Sequence, residues 1–114
     1  MESDARDDAT ARAQRYNCRL FFRQNGELDI LGALGNVSFD RSDSVNACTD
    51  AGDAAYSDRD EVPGTIFTCP LFYSGSDSLR ADTVLHEMLH LAGNSHDDLG
   101  GPGPFHQAVM NACP

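Results

Sequence analysis

The sequence predicts a single domain of the α+β class, and three observations lead to this prediction. The chain has 114 residues, enough for one modest hydrophobic core and too few for two. Apolar residues recur at helical spacing in residues 77–92. Residues 64–69 are rich in β-branched and aromatic side chains and end at Pro70, which is typical of a strand. We therefore expect a central helix, a second helix near the N-terminus and a short sheet.

The N-terminal segment is predicted to divide into a frayed start and a helix. Residues 1–8 are acidic and polar and offer little to bury, so we expect disorder there. Residues 9–24 contain neither Gly nor Pro, and their apolar residues fit helical spacing. Asn25-Gly26 supplies the stop, since both residues tolerate the left-handed conformation that closes a helix. The folded domain is therefore expected to span residues 9–114.

The middle of the chain is predicted to consist mainly of loops. Residues 32–60 are rich in Gly, Ser, Asn and Asp, and residues 37–39 are their one short alternating stretch, which indicates a short strand. Near the C-terminus, the Gly and Pro residues at 100–104 argue against regular structure, and a last short element is predicted over residues 105–112.

The central helix is the strongest of these predictions. Asp77 and Ser78 are good N-terminal caps for residues 77–92, and Gly93 follows as a C-terminal stop. A buried stripe at spacing i, i+3, i+4 and i+7 is expected at Leu85, Met88, Leu89 and Ala92. The neighbouring face of the helix then carries two histidines.

The charge balance and the apolar content exclude two kinds of partner. The chain has 18 Asp and Glu against 8 Lys and Arg, so its net charge is -10, and such a surface repels the phosphate backbone of nucleic acids. No run reaches the roughly 18 consecutive apolar residues of a membrane span. We expect a monomer that binds neither nucleic acid nor membrane.

The four cysteines occur without Cys-x-x-Cys spacing, which argues against a zinc ribbon or a thioredoxin-like site. Two disulfides are the favoured interpretation, Cys48 with Cys69 and Cys18 with Cys113, since they would hold the loop-rich middle and the C-terminus. Disulfides indicate an oxidising compartment, and hence an extracellular or periplasmic protein. Because Met1 precedes acidic residues instead of a signal peptide, export would need a removed or different signal. Four buried free thiols in a reducing compartment are the alternative.

His86, Glu87 and His90 form a His-Glu-x-x-His pattern on the central helix. Histidines four residues apart stack one turn above the other, where both imidazoles can reach one zinc ion. Glu87 is then carried to the side of a zinc-bound water, as the general base of a metallopeptidase requires. Gly93 would let the chain turn sharply, so that His96 returns as the third ligand. Three nitrogens with an open fourth position are typical of catalytic zinc, whereas three surface histidines near a helix end are the alternative.

The segment from His86 to Asp97, read as His-Glu-x-x-His-x-x-Gly-x-x-His-Asp, resembles the extended zinc signature of the metzincin peptidases. Its His-Asp ending is most similar to the adamalysin branch. The resemblance implies a small zincin-like domain with zinc endopeptidase activity. It assigns zinc ligation to His86, His90 and His96, base catalysis to Glu87, the turn to Gly93, a buried structural acid to Asp97 and the methionine turn beneath the metal to Met110.

A second resemblance competes with the first. A strand over residues 65–73 followed by a His-Glu-x-x-His helix is similar to the deuterolysin-type aspzincins. In that family a downstream aspartate is the third zinc ligand, which here would be Asp97 or Asp98. The two resemblances therefore differ in whether His96 or an aspartate completes the site.

Three further features are candidates for substrate contacts. His106 or Tyr73 could donate a hydrogen bond to the oxyanion of a tetrahedral intermediate, although a solvated histidine and a core tyrosine are the plainer interpretations. Residues 65–69 could form an edge strand that pairs with an extended substrate.

The function that we expect is a secreted zinc endopeptidase, with Zn²⁺ as cofactor and a polypeptide as substrate. One alternative is a toxin or effector domain that hydrolyses a single amide target. The other is a non-catalytic binding module stabilised by zinc, against which Glu87 and the lack of a fourth protein ligand argue.

Overall fold

The structure is a computed structural model that describes residues 1–41, 48 and 54–114. Its helices and strands confirm the predicted α+β class. The remaining part of the predicted loop, residues 42–47 and 49–53, lies outside the described residues. The elements are α1 (Glu2–Ala13), α2 (Tyr16–Gln24), α3 (Ile30–Asn36), β1 (Ser38–Asp40), β2 (Ala55–Asp58), β3 (Val62–Thr68), α4 (Pro70–Ser74), α5 (Asp77–Leu91), a 3-10 helix (His96–Leu99) and α6 (Pro102–Ala112).

Helix α1 occupies the segment for which disorder was expected. Ala5, Ala9 and Ala13 recur every four residues and are all buried. Because alanine is small, this face of α1 packs closely on the central helix α5. The expectation for residues 1–8 is therefore wrong. It was based on the acidic residues alone. The alanines bury little area each, but they allow close helix packing.

The single helix predicted over residues 9–24 is two helices in the structure. Arg15 has an extended backbone, with φ -72° and ψ 141°, and turns the chain between α1 and α2. The turn allows Cys18 and Phe22 of α2 to be buried together with the alanine face of α1. Helix α2 ends at the predicted stop, where Gly26 has a φ of 100°.

The sheet has the order β1-β3-β2, so the predicted main strand is its central strand. β1 runs parallel to β3, whereas β2 runs antiparallel to it. Tyr56 of β2 stacks on Phe67 of β3 with 4.8 Å between ring centroids. The expectation that residues 65–69 form an edge is wrong because β3 is paired on both sides. Both β2 and β3 contact α5, and β2 contacts it more extensively.

Two segments that were predicted to lack regular structure contain helix. The Asp29 carboxylate accepts a hydrogen bond from the Gly32 N–H at 3.0 Å, and this cap starts α3. Helix α6 starts at Pro102, inside the Gly- and Pro-rich run. Proline suits the first turn of a helix because its fixed φ is helical and its missing N–H would have no partner there.

Two disulfides tie these elements together. Cys18 of α2 is bonded to Cys113 after α6, and Cys48 is bonded to Cys69 after β3, the same pairs that the sequence favours. They indicate an oxidising environment. Among the described helices, none has the length and apolar character that crossing a lipid bilayer requires.

The two disulfides should stabilise the fold unequally. Their cysteines are 95 and 21 residues apart in sequence. From the entropy of loop closure, replacing Cys18 and Cys113 by Ser should lower the free energy of unfolding by about 4.7 kcal/mol, and replacing Cys48 and Cys69 by about 3.4 kcal/mol. Urea denaturation of both double variants measures these losses. An equal or reversed order would contradict the loop-length argument.

Candidate metal centre

Helix α5 holds the His-Glu-x-x-His residues on a well-anchored element. It begins after Ser76, one residue before the predicted cap, and the Ser76 hydroxyl accepts a hydrogen bond from the Leu79 N–H at 3.1 Å. Seven of its fifteen residues are buried, so the half-buried His86 and His90 project from an anchored backbone. The buried residues of α5 are Arg80, Ala81, Val84, Leu85, Glu87, Met88 and Leu89.

The turn after α5 brings His96 back to the other two histidines. Gly93 has a φ of 108°, which residues with a side chain rarely adopt. The side-chain amide of Asn94 donates to the Asn25 carbonyl at 2.7 Å and fixes the turn against the end of α2. A capping box that includes the Asp98 carboxylate then starts the 3-10 helix at His96.

The three imidazoles converge through their Nε2 atoms. The Nε2 atom of His90 lies 3.2 Å from that of His86 and 3.1 Å from that of His96, and the third separation is 3.3 Å. Nitrogens bound at about 2.0–2.1 Å around a tetrahedral ion lie about 3.3 Å apart. The triad can therefore hold one metal ion. Within the described residues, no other His, Cys, Asp or Glu residues form such a group.

A hydrogen bond to the backbone indicates which ring nitrogen of His90 carries the proton and which is free to bind a cation. Its Nδ1 lies 2.8 Å from the Asn94 carbonyl oxygen, which accepts a hydrogen bond only if Nδ1 carries the proton. In a neutral imidazole, Nε2 then has a lone pair directed towards the other two rings. A metal ion among the three nitrogens would replace lone-pair repulsion by attraction.

Burial favours the neutral form of two of these imidazoles, those of His86 and His90. Burial, followed by the positive charges that His90, His96 and His106 can carry, lowers the pKa of His86 from 6.5 to about 4. Burial is also the largest cause of the lowered pKa of His90, with a smaller contribution from His96. Neutral imidazoles present lone pairs to a metal at pH 7 without first losing a proton.

Phe105 of α6 forms the floor beneath the triad. It is fully buried, and its ring centroid lies 4.6 Å from that of His86, 4.5 Å from that of His90 and 5.0 Å from that of His96. Met110, for which the resemblance implied a methionine turn, lies inside α6 and not in a turn. Sequence reasoning missed Phe105, although a large apolar residue directly after a Gly- and Pro-rich run was an available signal.

Glu87 lies beside the triad and is held by the sheet. Its side chain is 5% exposed, and Ser57 donates a hydrogen bond from Oγ to its Oε1 at 2.9 Å. The pairing of β2 with β3 shifts register between Tyr56 and Asp58, and such irregularities redirect side chains. Ser57 sits at this point. Sequence reasoning missed it because the contact spans 30 residues.

Glu87 lines two clefts. The larger has a volume of about 570 Å³, lies between β2 and the turn after α5, and includes all three histidines. The smaller, about 230 Å³, lies between α5 and α6 and includes His86 and His96. The triad and Glu87 therefore border space that solvent molecules and ligands can enter.

The two residues predicted to bind an oxyanion lie in different places. His106 is exposed on α6 and lines the smaller cleft, with its ring centroid 6.3 Å from that of His86. The Tyr73 hydroxyl instead shares a hydrogen bond with Thr68 and donates to Glu2 at 3.3 Å. Tyr73 thus secures the N-terminus of α1 and lines neither cleft, which contradicts its predicted role.

The aspartates after His96 do not join the histidines. Asp97 is exposed, which contradicts its implied role as a buried structural acid. Asp98 accepts a hydrogen bond from the Ser95 N–H at 2.7 Å. Its carboxylate therefore supports the 3-10 helix, and the described geometry favours His96 as the third ligand.

Comparison with protein-family models, with curated proteins and with solved structures finds no match to this chain. The chemistry of the site is therefore the basis for assigning a function.

The identity of the third ligand can be tested by substitution. His96→Ala should lower metal affinity sharply because it removes one of three converging nitrogens. Asp97→Ala should retain the metal, since Asp97 is exposed. Asp98→Asn should also retain the metal, since the amide oxygen of the new side chain can still cap the 3-10 helix. Metal content after dialysis, measured by mass spectrometry, decides the matter. Loss of metal in an aspartate variant but not in His96→Ala would instead support the aspzincin ligand set.

The metal-free protein should become less stable on acidification. His86 has a lower pKa in the folded chain than in the unfolded chain, so the unfolded state binds more protons between about pH 6.5 and about pH 4. The contribution of His86 to stability is complete above this window and is lost as the pH falls through it. Urea midpoints of the metal-free chain at several pH values measure how steeply stability depends on pH. His86→Gln should make this dependence weaker. An unchanged slope would show that another group titrates.

Proposed function

We propose that this chain is a secreted, zinc-dependent endopeptidase, the activity that its resemblance to the metzincins implies. The observation that carries the proposal is the convergence of three imidazoles next to a buried glutamate in a cleft. Two disulfides are in keeping with an extracellular location.

The ligand set fits a catalytic zinc ion better than a structural one. Structural zinc sites are closed by four protein ligands, usually with cysteine among them. Here all four cysteines are in disulfides, and the described residues offer three nitrogens to the ion. A zinc ion bound by His86, His90 and His96 would supply a Lewis acid that lowers the pKa of a water molecule to about 7.

Glu87 is suited to act as the general base. It occupies the position next to His86 and lines both clefts, and the Ser57 hydroxyl fixes its carboxylate through Oε1. The carboxylate takes a proton from the attacking water and passes it to the amine that leaves the cleaved peptide bond. His106, at the rim of the smaller cleft, supplies a donor for the oxyanion that forms in between.

The larger cleft is suited to an extended polypeptide. Strand β2 forms one wall, and an outer strand can hydrogen-bond the main chain of a bound peptide. The smaller cleft also borders Glu87, so the two clefts together offer room for substrate residues next to the proposed base, as endopeptidase cleavage requires.

Replacing Glu87 by Gln tests this mechanism. The substitution keeps the shape of a buried side chain and an oxygen that can accept from Ser57, but it removes the proton acceptor. Casein hydrolysis by the zinc-loaded variant should fall by about 10²- to 10⁴-fold, while the zinc content stays at one ion per chain. Glu27→Gln is the matched control, since Glu27 lies outside both clefts.

The alternatives give different results in the same assay. An effector specific for one target would leave casein intact, although the parent chain binds zinc. A binding module stabilised by zinc would show no hydrolysis and would unfold when chelator removes the metal. Equal rates for Glu87→Gln and the parent would refute Glu87 as the base.

A further inference from the structure

Arg59 lies in the wall of the larger cleft, close to the metal ligands. It follows β2 directly and shares the cleft with the triad and Glu87. Its guanidinium packs against the turn that joins His90 to His96, since a Cβ built on Gly93 would lie 2.7 Å from Nη1 of Arg59. Gly93 therefore has two roles, because its missing side chain permits both the sharp turn and the approach of this cation.

Among the described residues, the charge of Arg59 has no ion-pair partner. Arg59 is the one Arg or Lys among the residues that line the larger cleft, and within the described part of the chain it takes part in no ion pair. The adjacent Asp58 is engaged in its own turn, where its Oδ1 accepts from the N–H groups of Asp60 and Glu61 at 3.2 and 3.1 Å. A guanidinium is charged at every accessible pH and offers paired donors.

We infer that Arg59 forms a subsite that selects substrates with a carboxylate, which binds the guanidinium through paired hydrogen bonds. This inference rests on the proposed peptidase function, whose substrate class it narrows. Arg59 is exposed in the cleft, and the planar fork of its donors matches the two oxygens of a carboxylate. The carboxylate belongs either to an Asp or Glu side chain or to the C-terminus of the substrate.

A set of peptides distinguishes these two sources. One neutral peptide with blocked ends is the reference. In a first arm, single residues are replaced in turn by Glu; in a second arm, the reference sequence has a free C-terminal carboxylate. The zinc-loaded parent should cleave the best carboxylate peptide with a kcat/KM about 10- to 100-fold above the reference, the range expected of a charge-assisted hydrogen bond.

Arg59 variants then assign the preference to this residue. In Arg59→Gln the kcat/KM ratio of carboxylate to neutral peptide should fall towards one, and in Arg59→Glu it should fall below one. Arg59→Lys should keep part of the preference for carboxylate peptides, since the charge remains but the paired hydrogen-bond geometry is lost. Arg19→Gln, an exposed position outside the cleft, should keep the parental ratio. A ratio near one in the parent, or a ratio that Arg59→Gln leaves unchanged, would overturn the inference.

A binding measurement separates this inference from the proposed function. Fluorescence anisotropy of the labelled peptides with zinc-loaded Glu87→Gln protein reports the subsite without catalysis. If no peptide is cleaved by the parent, the peptidase proposal fails. Tighter binding of the carboxylate peptides that disappears in Glu87→Gln/Arg59→Gln would still support the subsite, and equal binding of all peptides would refute it.

Discussion

The central constraint on this fold is the placement of three imidazole nitrogens 3.1 to 3.3 Å apart. A cation favours such an arrangement, because it attracts the lone pairs that imidazole nitrogens can direct towards it. A rigid helix can supply two of the rings one turn apart, but the third requires the chain to reverse its direction. The buried length of α5 meets the first requirement, and the left-handed turn at Gly93 meets the second.

The parts of the fold that support this convergence come from both ends of the chain. Helix α6 places Phe105 beneath all three imidazoles, and the Cys18–Cys113 disulfide ties the end of α6 to α2. Helix α2 in turn accepts a hydrogen bond from Asn94 through the Asn25 carbonyl. The N-terminal helices therefore contribute to the geometry of the metal site without donating a ligand.

The strand β2 and the turn after it connect the candidate catalytic group to the substrate cleft. Ser57 holds the Glu87 carboxylate from the register shift in β2, and Arg59 packs two residues later on the turn that carries His96. Tyr56 and Asp58, which pair with β3, hold Ser57 between them, and Arg59 follows Asp58 directly. A change in this pairing would disturb the proposed base and the cationic wall of the cleft together, which makes the small sheet part of the site.

The α+β class and the central helix with His86, Glu87 and His90 follow from the sequence alone, because they depend on local spacing and on residue chemistry. The sequence also favours His96 and the two disulfide pairs without excluding the alternatives. The surroundings of the histidines follow only from tertiary contacts, because Ser57 reaches Glu87 across 30 residues of chain and Phe105 packs on rings that lie 9 to 19 residues earlier. Contacts between distant parts of the chain also explain why residues 2–8 are helical in α1 and why β3 is the central strand. An alanine face or a strand acquires its role only from the element that packs against it.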